Sequence, residues 1–103
     1  MNRHILLRET AAFRQNRAQE TERARINACL QLAGAPAIDA LGAAGPVRLA
    51  QYARRLRLGI AKERRRGLLR HHRYDLNRHI AMKRALDAVT GAAQTKNGAA
   101  APF

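Results

Sequence analysis

Serine and tryptophan are absent from this chain, and its one cysteine, Cys29, has no companion. Without a second cysteine there is no intrachain disulfide, and without a cysteine cluster there is no thiolate zinc site. A lone thiol makes a reducing, intracellular (cytoplasmic) setting the default expectation. With serine missing, the nucleophiles available are Cys29, Thr10, Thr21, Thr90 and Thr95. Cys29 shares a helix side with Ile26, Leu30 and Ala33, the pattern of a core thiol rather than a reactive one. Acids are scarce, 7 against 20 Lys and Arg, and no two of them suggest a pair flanking a pocket. The GAAG string at Gly42–Gly45 lacks the Lys and Ser/Thr of a phosphate-binding loop. The expectation is therefore a protein with no catalytic residue, no cofactor and no metal site.

Apolar bulk is also short. There are four aromatics, Phe13, Tyr52, Tyr74 and Phe103, and alanine supplies much of the 47% hydrophobic share. Alanine favours helix but buries little surface. No apolar run is long enough to span a bilayer. The physics points to long helices around a thin core in 103 residues, one domain at most. Such helices are often completed by a partner, by another copy of the chain or by a larger complex. The basic start, MNRHILLRETAAFRQNR, faintly resembles an organellar transit peptide and reads better as an ordinary helix start.

What is present is positive charge. The formal net charge is +13, of which residues 46–90 carry +10. Nearly all the cations are arginine, whose planar fork matches phosphate and carboxylate. A GC-rich genome would also enrich Ala and Arg, so the arginine bias by itself says little.

The punctuation predicts an all-α fold, a helical hairpin or small three-helix arrangement. Residues 7–33 lack Gly and Pro and form a long first helix, with Gly34 as its C-terminal cap. Its stretch Arg14 to Arg25 has almost no apolar face, and Glu20–Arg23 and Glu22–Arg25 are spaced to pair along it. Residues 34–45 are a Gly/Pro connector in which Pro36 starts a short helical turn carrying Ile38 and Leu41. Pro46 opens a second helical stretch over 46–90, either continuous or broken near Gly67. Leu49, Ala53, Leu56 and Ile60 form its clearest apolar stripe. Leu6, Phe13, Ile26 and Leu30 are placed either to pack on Leu49, Leu56 and Ile60 or equally to dock on a partner. Residues 1–90 form the domain, and residues 91–103 are expected to be a flexible tail.

On one ideal helix, Arg55, Lys62, Arg66, Arg70, Arg73, Asn77 and Arg84 fall in a sector roughly 80° wide, away from the apolar stripe. Arg54, Arg57, Arg64 and Arg65 broaden it. Like charges four residues apart repel unless something anionic lies opposite. The leading expectation is a small accessory protein binding nucleic acid, or a nucleoprotein assembly, mainly through backbone phosphates. The alternative is a helical adaptor or inhibitor docking on an acidic protein, and the third reading is an anionic membrane surface. A break near Gly67 admits a helix-turn-helix reading, with Arg70, Arg73, Asn77 and Arg78 at base edges, on weak grounds. Tyr52 and Tyr74 stand apart, which argues against a stacking platform for single strands. His72, Asp75 and His79 share a helical spacing, but Arg70, Arg73 and Arg78 around them oppose a metal ion. The plainer reading pairs Asp75 with Arg78 or His79 and lets His71 and His72 extend the basic surface.

Overall fold

The computed structural model describes the backbone of residues 3–100 and the side-chain surroundings of residues 8–96. Three helices carry the fold: α1 (Arg3–Leu32), α2 (Pro46–Leu68) and α3 (Leu76–Ala100). A 3-10 helix, Ile38–Ala43, lies in the first connector. Among the described residues there is no strand, so the protein is all-α.

α3 is the centre of the arrangement. It packs along α2 and against α1, whereas α1 and α2 scarcely meet. The expected packing of the first helix onto the stripe of the second is met only in part: Ile26 and Leu30 join Leu49 and Leu56 in the core, whereas Phe13 stays outside it. The central place of α3 follows from side-chain size. Ala81, Ala85 and Val89 form a narrow buried edge on α3 that lets two neighbours approach at once. Where α2 crosses α3, Gly59 faces the Met82 thioether, and a Cβ there would sit 3.6 Å from the sulfur. The core is closed by Leu30, Ala33, Leu41, Leu49, Ala53 and Leu56. Leu41 reaches it from the 3-10 helix, and Ile38 packs beside it, as the connector pattern implied.

Among the described side chains of α1, only those of its last turns are buried. Ile26, Cys29 and Leu30 belong to the core, while residues 8–21 are exposed throughout. Phe13 is 60% exposed and meets the Arg17 guanidinium at 5.7 Å instead of a core. A helix this polar all round has no face to bury. The side chain of Leu6 lies outside the described residues. The expected pairing along α1 gives way to tertiary pairs, because Glu22 meets Arg84 of α3 and Arg23 lies 3.7 Å from Asp39. The molecule exposes 8147 Å². A compact monomer of its mass would expose about 5,800 Å², so the arrangement is open.

The ends of the helices are set by backbone geometry. After α1, Gly34 takes φ 78°; its N–H donates to Gln31 O, and Ala35 N–H donates to Leu30 O at 2.8 Å. α2 does not stop at Gly67 but runs on to Leu68 and closes in the same way one residue later. Arg70 takes φ 50°, its N–H donates to Gly67 O, and His71 N–H donates to Arg66 O at 2.9 Å. Gly67 has another use, since a Cβ there would come within 3.0 Å of the Tyr74 ring. α3 starts at Asp75, whose Oδ1 accepts from Asn77 N–H at 2.9 Å and Arg78 N–H at 3.3 Å. Asp75 is thus a helix N-cap, not the ion-pair partner of Arg78 or His79. α3 then passes through Thr90-Gly91 to Ala100, beyond the end of the apolar pattern. The expected tail is therefore helical up to Ala100, because an alanine-rich segment keeps its helix once an anchored turn has nucleated it. Residues 101–103 lie outside the described residues.

Candidate polyanion interface

The buried side of α2 consists of Leu49, Tyr52, Ala53, Leu56, Ile60 and Glu63. At 100° per residue, Arg65 lies about 180° and Arg54 about 160° from Leu56. These two arginines therefore point straight out, three turns or about 16 Å apart. Arg57 and Arg64 flank them on one side and Lys62 on the other, and all five are exposed. The side chains of these five cations make no ion pair or hydrogen bond among the described residues.

The row expected from sequence is divided. Its premise was one continuous helix, and the turn between α2 and α3 breaks that helix after Leu68. Arg55 faces α1, where its Nη1 donates to Ala33 O at 3.0 Å. It places a cation at the negative end of α1. Arg66 is held at 3.0 Å by Glu63. Arg84, on α3, is paired with Glu22 of α1. Arg70 and Arg73 are exposed in the turn, and Asn77 is exposed in the first turn of α3. Of the predicted site, Arg54, Lys62 and Arg65 share the free face of α2, and Arg70 and Arg73 share the tip. Arg55 and Arg84 instead reach across to α1 and its end, and Arg66 is held within α2 by Glu63. The free face is rotated by about 80–100° from the predicted row.

Glu63 explains why this face is uniformly positive. It is the only carboxylate of α2, and it is 2% exposed. Its Oε1 accepts from Arg66 Nη1 at 3.0 Å and from Arg78 Nη2 at 2.7 Å. Arg78 Nη2 also donates to Arg73 O at 2.9 Å, which ties the turn to α3. Tyr74 OH and His79 Nδ1 share a hydrogen bond of 3.1 Å beside it. Glu63 is the one acid in the block KERRR, and in the fold it is buried and not a surface charge. Its position on the Leu56–Ile60 side of the helix was the available signal of burial. Asp75, directly before the apolar residues Leu76 and Ile80, was an available signal for a helix start.

Among the described residues no group of three His, Cys, Asp or Glu side chains is placed to hold a metal ion. None of their helices is long and apolar enough to cross a membrane. Burial raises the Cys29 thiol above its ordinary value, with the Arg78 charge working in the opposite direction. The net effect disfavours thiolate, as suits a core residue. Compared with protein-family models, curated proteins and solved structures, the chain matches none of them.

Proposed function

We propose that this protein binds nucleic acid, or a nucleoprotein assembly, through the outward face of α2 and the adjoining turn, mostly by contacts to backbone phosphates. One observation carries the reading: α2 turns its only carboxylate into the core, and every charge it leaves exposed is positive. A surface carrying Arg54, Arg57, Lys62, Arg64 and Arg65 repels itself in isolation and gains from an extended polyanion. Their spread around the exposed half of the helix suits a charged backbone that tolerates small changes of register. Binding through five cations implies a log–log salt slope of about −4 to −5 on duplex DNA.

The test is fluorescence anisotropy with mixed-sequence DNA and RNA over a range of salt. Arg54→Glu combined with Arg65→Glu should weaken binding and reduce the salt slope by about 2. These positions are better probes than Arg66, whose reversal would also break its pair with Glu63. Absence of binding at physiological salt, or a slope unmoved by the double reversal, would sink the proposal.

An acidic protein surface is the second reading, favoured by Val47 and Leu58. They are 72% and 64% exposed on the outward face among the arginines, where a phosphate backbone offers them little. This reading requires capture of a protein partner that survives nuclease treatment and is lost in the same double variant.

A further inference from the structure

The turn between α2 and α3 is exposed yet closely held. His71 N–H and Arg70 N–H close the end of α2, and Tyr74 N–H donates to His71 O at 3.0 Å. Arg73 N–H donates to His71 Nδ1 at 3.1 Å. The Arg73 carbonyl is held from α3 by Arg78, which is itself bound to buried Glu63. Residues 70–73 are nevertheless all exposed, so this order does not come from burial.

On this fixed turn the rings of His71 and His72 stack, with centroids 4.4 Å apart and planes 24° from parallel. The hydrogen bond into Nδ1 sets the orientation of the His71 ring and, while the ring is neutral, leaves the proton on Nε2. Two stacked aromatic rings in solvent, with Arg70 and Arg73 on either side in the chain, combine a flat surface with cations. Unpaired nucleotides are recognised by that combination, the base by stacking and the phosphate by a guanidinium. A duplex keeps its bases stacked on one another and has no use for the flat surface.

The His71–His72 pair alters the view drawn from the isolated tyrosines. Tyr74 is partly buried against Gly67 and His79 and is no platform. The histidines fill that role only because the backbone turns at Arg70. On one continuous helix, neighbouring residues would point about 100° apart.

We propose that the α2–α3 turn holds an unpaired nucleotide, with the base stacked on the His71–His72 pair and its phosphates met by Arg70 and Arg73. This rests on the nucleic-acid reading above and narrows it to single-stranded or looped substrate at the tip, with the α2 face supplying contacts indifferent to strandedness.

The experiment compares oligo-dT and oligo-U of about 20 nucleotides, longer than a single-module footprint, with a DNA duplex of the same length. It is run at about pH 7.5, above the ordinary histidine range. His72→Ala leaves every hydrogen bond of the turn in place, and His72→Phe keeps an aromatic ring there. His72→Ala should weaken both single strands about tenfold or more, leave the duplex within about twofold, and be rescued by His72→Phe. Equal losses on single strand and duplex, or no loss on either, would overturn the stacking site while leaving the α2 face standing. Failure of the unmodified protein to bind any of the three would overturn both proposals together. A preference for oligo-U over oligo-dT would assign the site to RNA, and the reverse to DNA.

Discussion

The first two helices end in the same way with opposite residues. α1 and α2 each finish on a left-handed residue, with one N–H reaching back three positions and the next reaching back five. At the end of α1 that residue is Gly34, for which φ 78° carries no side-chain penalty. At the end of α2 it is Arg70, for which the left-handed region costs roughly 1–2 kcal/mol. The two ends differ in their surroundings. Gly34 is exposed too, but a Cβ there would lie 2.7 Å from Arg55 Nη1, the group that caps the Ala33 carbonyl, and would displace it. Arg70 is exposed, and the Glu63–Arg78–Arg73 chain of contacts holds the turn that follows it. The left-handed backbone favours glycine at both ends, and at the first a Cβ would also displace the Arg55 guanidinium. An open end tolerates an arginine when other contacts hold the turn, and strain kept at an open cationic tip is consistent with a binding role.

The largest effect expected from breaking this comparison is at Glu63. Glu63→Ala removes the anchor of the α2 end and leaves Arg66 and Arg78 without their carboxylate. Removing one member of a fully buried pair costs about 3–5 kcal/mol, and since both arginines keep contact with water the loss here should be about 2–3 kcal/mol. Urea denaturation measures it. Amide exchange should quicken over residues 68–75 and not over 30–35. A cost below about 1 kcal/mol would show that the turn does not depend on this pair.

Gly34→Ala comes next. It combines the left-handed penalty with displacement of the Arg55 hydrogen bond, partly offset by a less flexible unfolded chain. Together these give a destabilisation of about 1–2 kcal/mol. Retention of full stability would mean that Arg55 and the backbone relax freely.

Arg70→Gly should act in the opposite direction. Relief of the strained conformation outweighs the extra freedom of unfolded glycine, for a gain of about 0.5–1 kcal/mol in the same denaturation assay. On the proposed nucleic-acid reading, affinity should fall at the same time, because the phosphate contact proposed for Arg70 would be lost. Stability that falls instead of rising would show that the Arg70 side chain supports the turn.

The smallest effect is a titration. The His71 ring sheds some water against its stacked neighbour, and the charges of His72, Arg66 and Arg73 add to this, so its proton is held more weakly than in ordinary histidine. The unfolded chain binds that proton more readily. Stability therefore rises with pH through the interval between the folded and unfolded values, and falls as pH drops through the ordinary histidine value. NMR titration of the His71 ring should place its midpoint on the acid side of a free histidine. A midpoint on the alkaline side would imply a nearby anion and overturn the lowered value of His71.

Legibility from sequence followed the length of the signal. The Gly/Pro punctuation, the Leu49–Ile60 stripe and the Gly34 cap all correspond to observed features, because each depends on propensity or periodicity within a few residues. The break near Gly67 was visible as a neighbourhood, but the left-handed residue was three positions away. No turn residue marks Arg70, and the turn that follows it is held at Arg73 by Arg78 of α3, which is bound to Glu63 of α2. The candidate site was legible as composition and not as geometry. Arg54, Lys62 and Arg65 stay free, while Arg55, Arg66 and Arg84 are taken up by Ala33, Glu63 and Glu22. A helical wheel ranks residues by angle and cannot see the α1 partners of Arg55 and Arg84, or that the Glu63 beside Arg66 is buried.

The sequence by itself determined an all-α chain, a strong excess of positive charge in residues 46–90, and the apolar edge on which α2 folds. These follow from backbone propensity, ionisation and the 3.6-residue period, which need no knowledge of neighbours. Only the tertiary structure decided which cations are spent on cohesion and which are left outside, and it alone brought His71 and His72 face to face. Both outcomes depend on where α3 lies. It is the element that buries Glu63 against Arg78, closes the turn and frees the outward surface of α2.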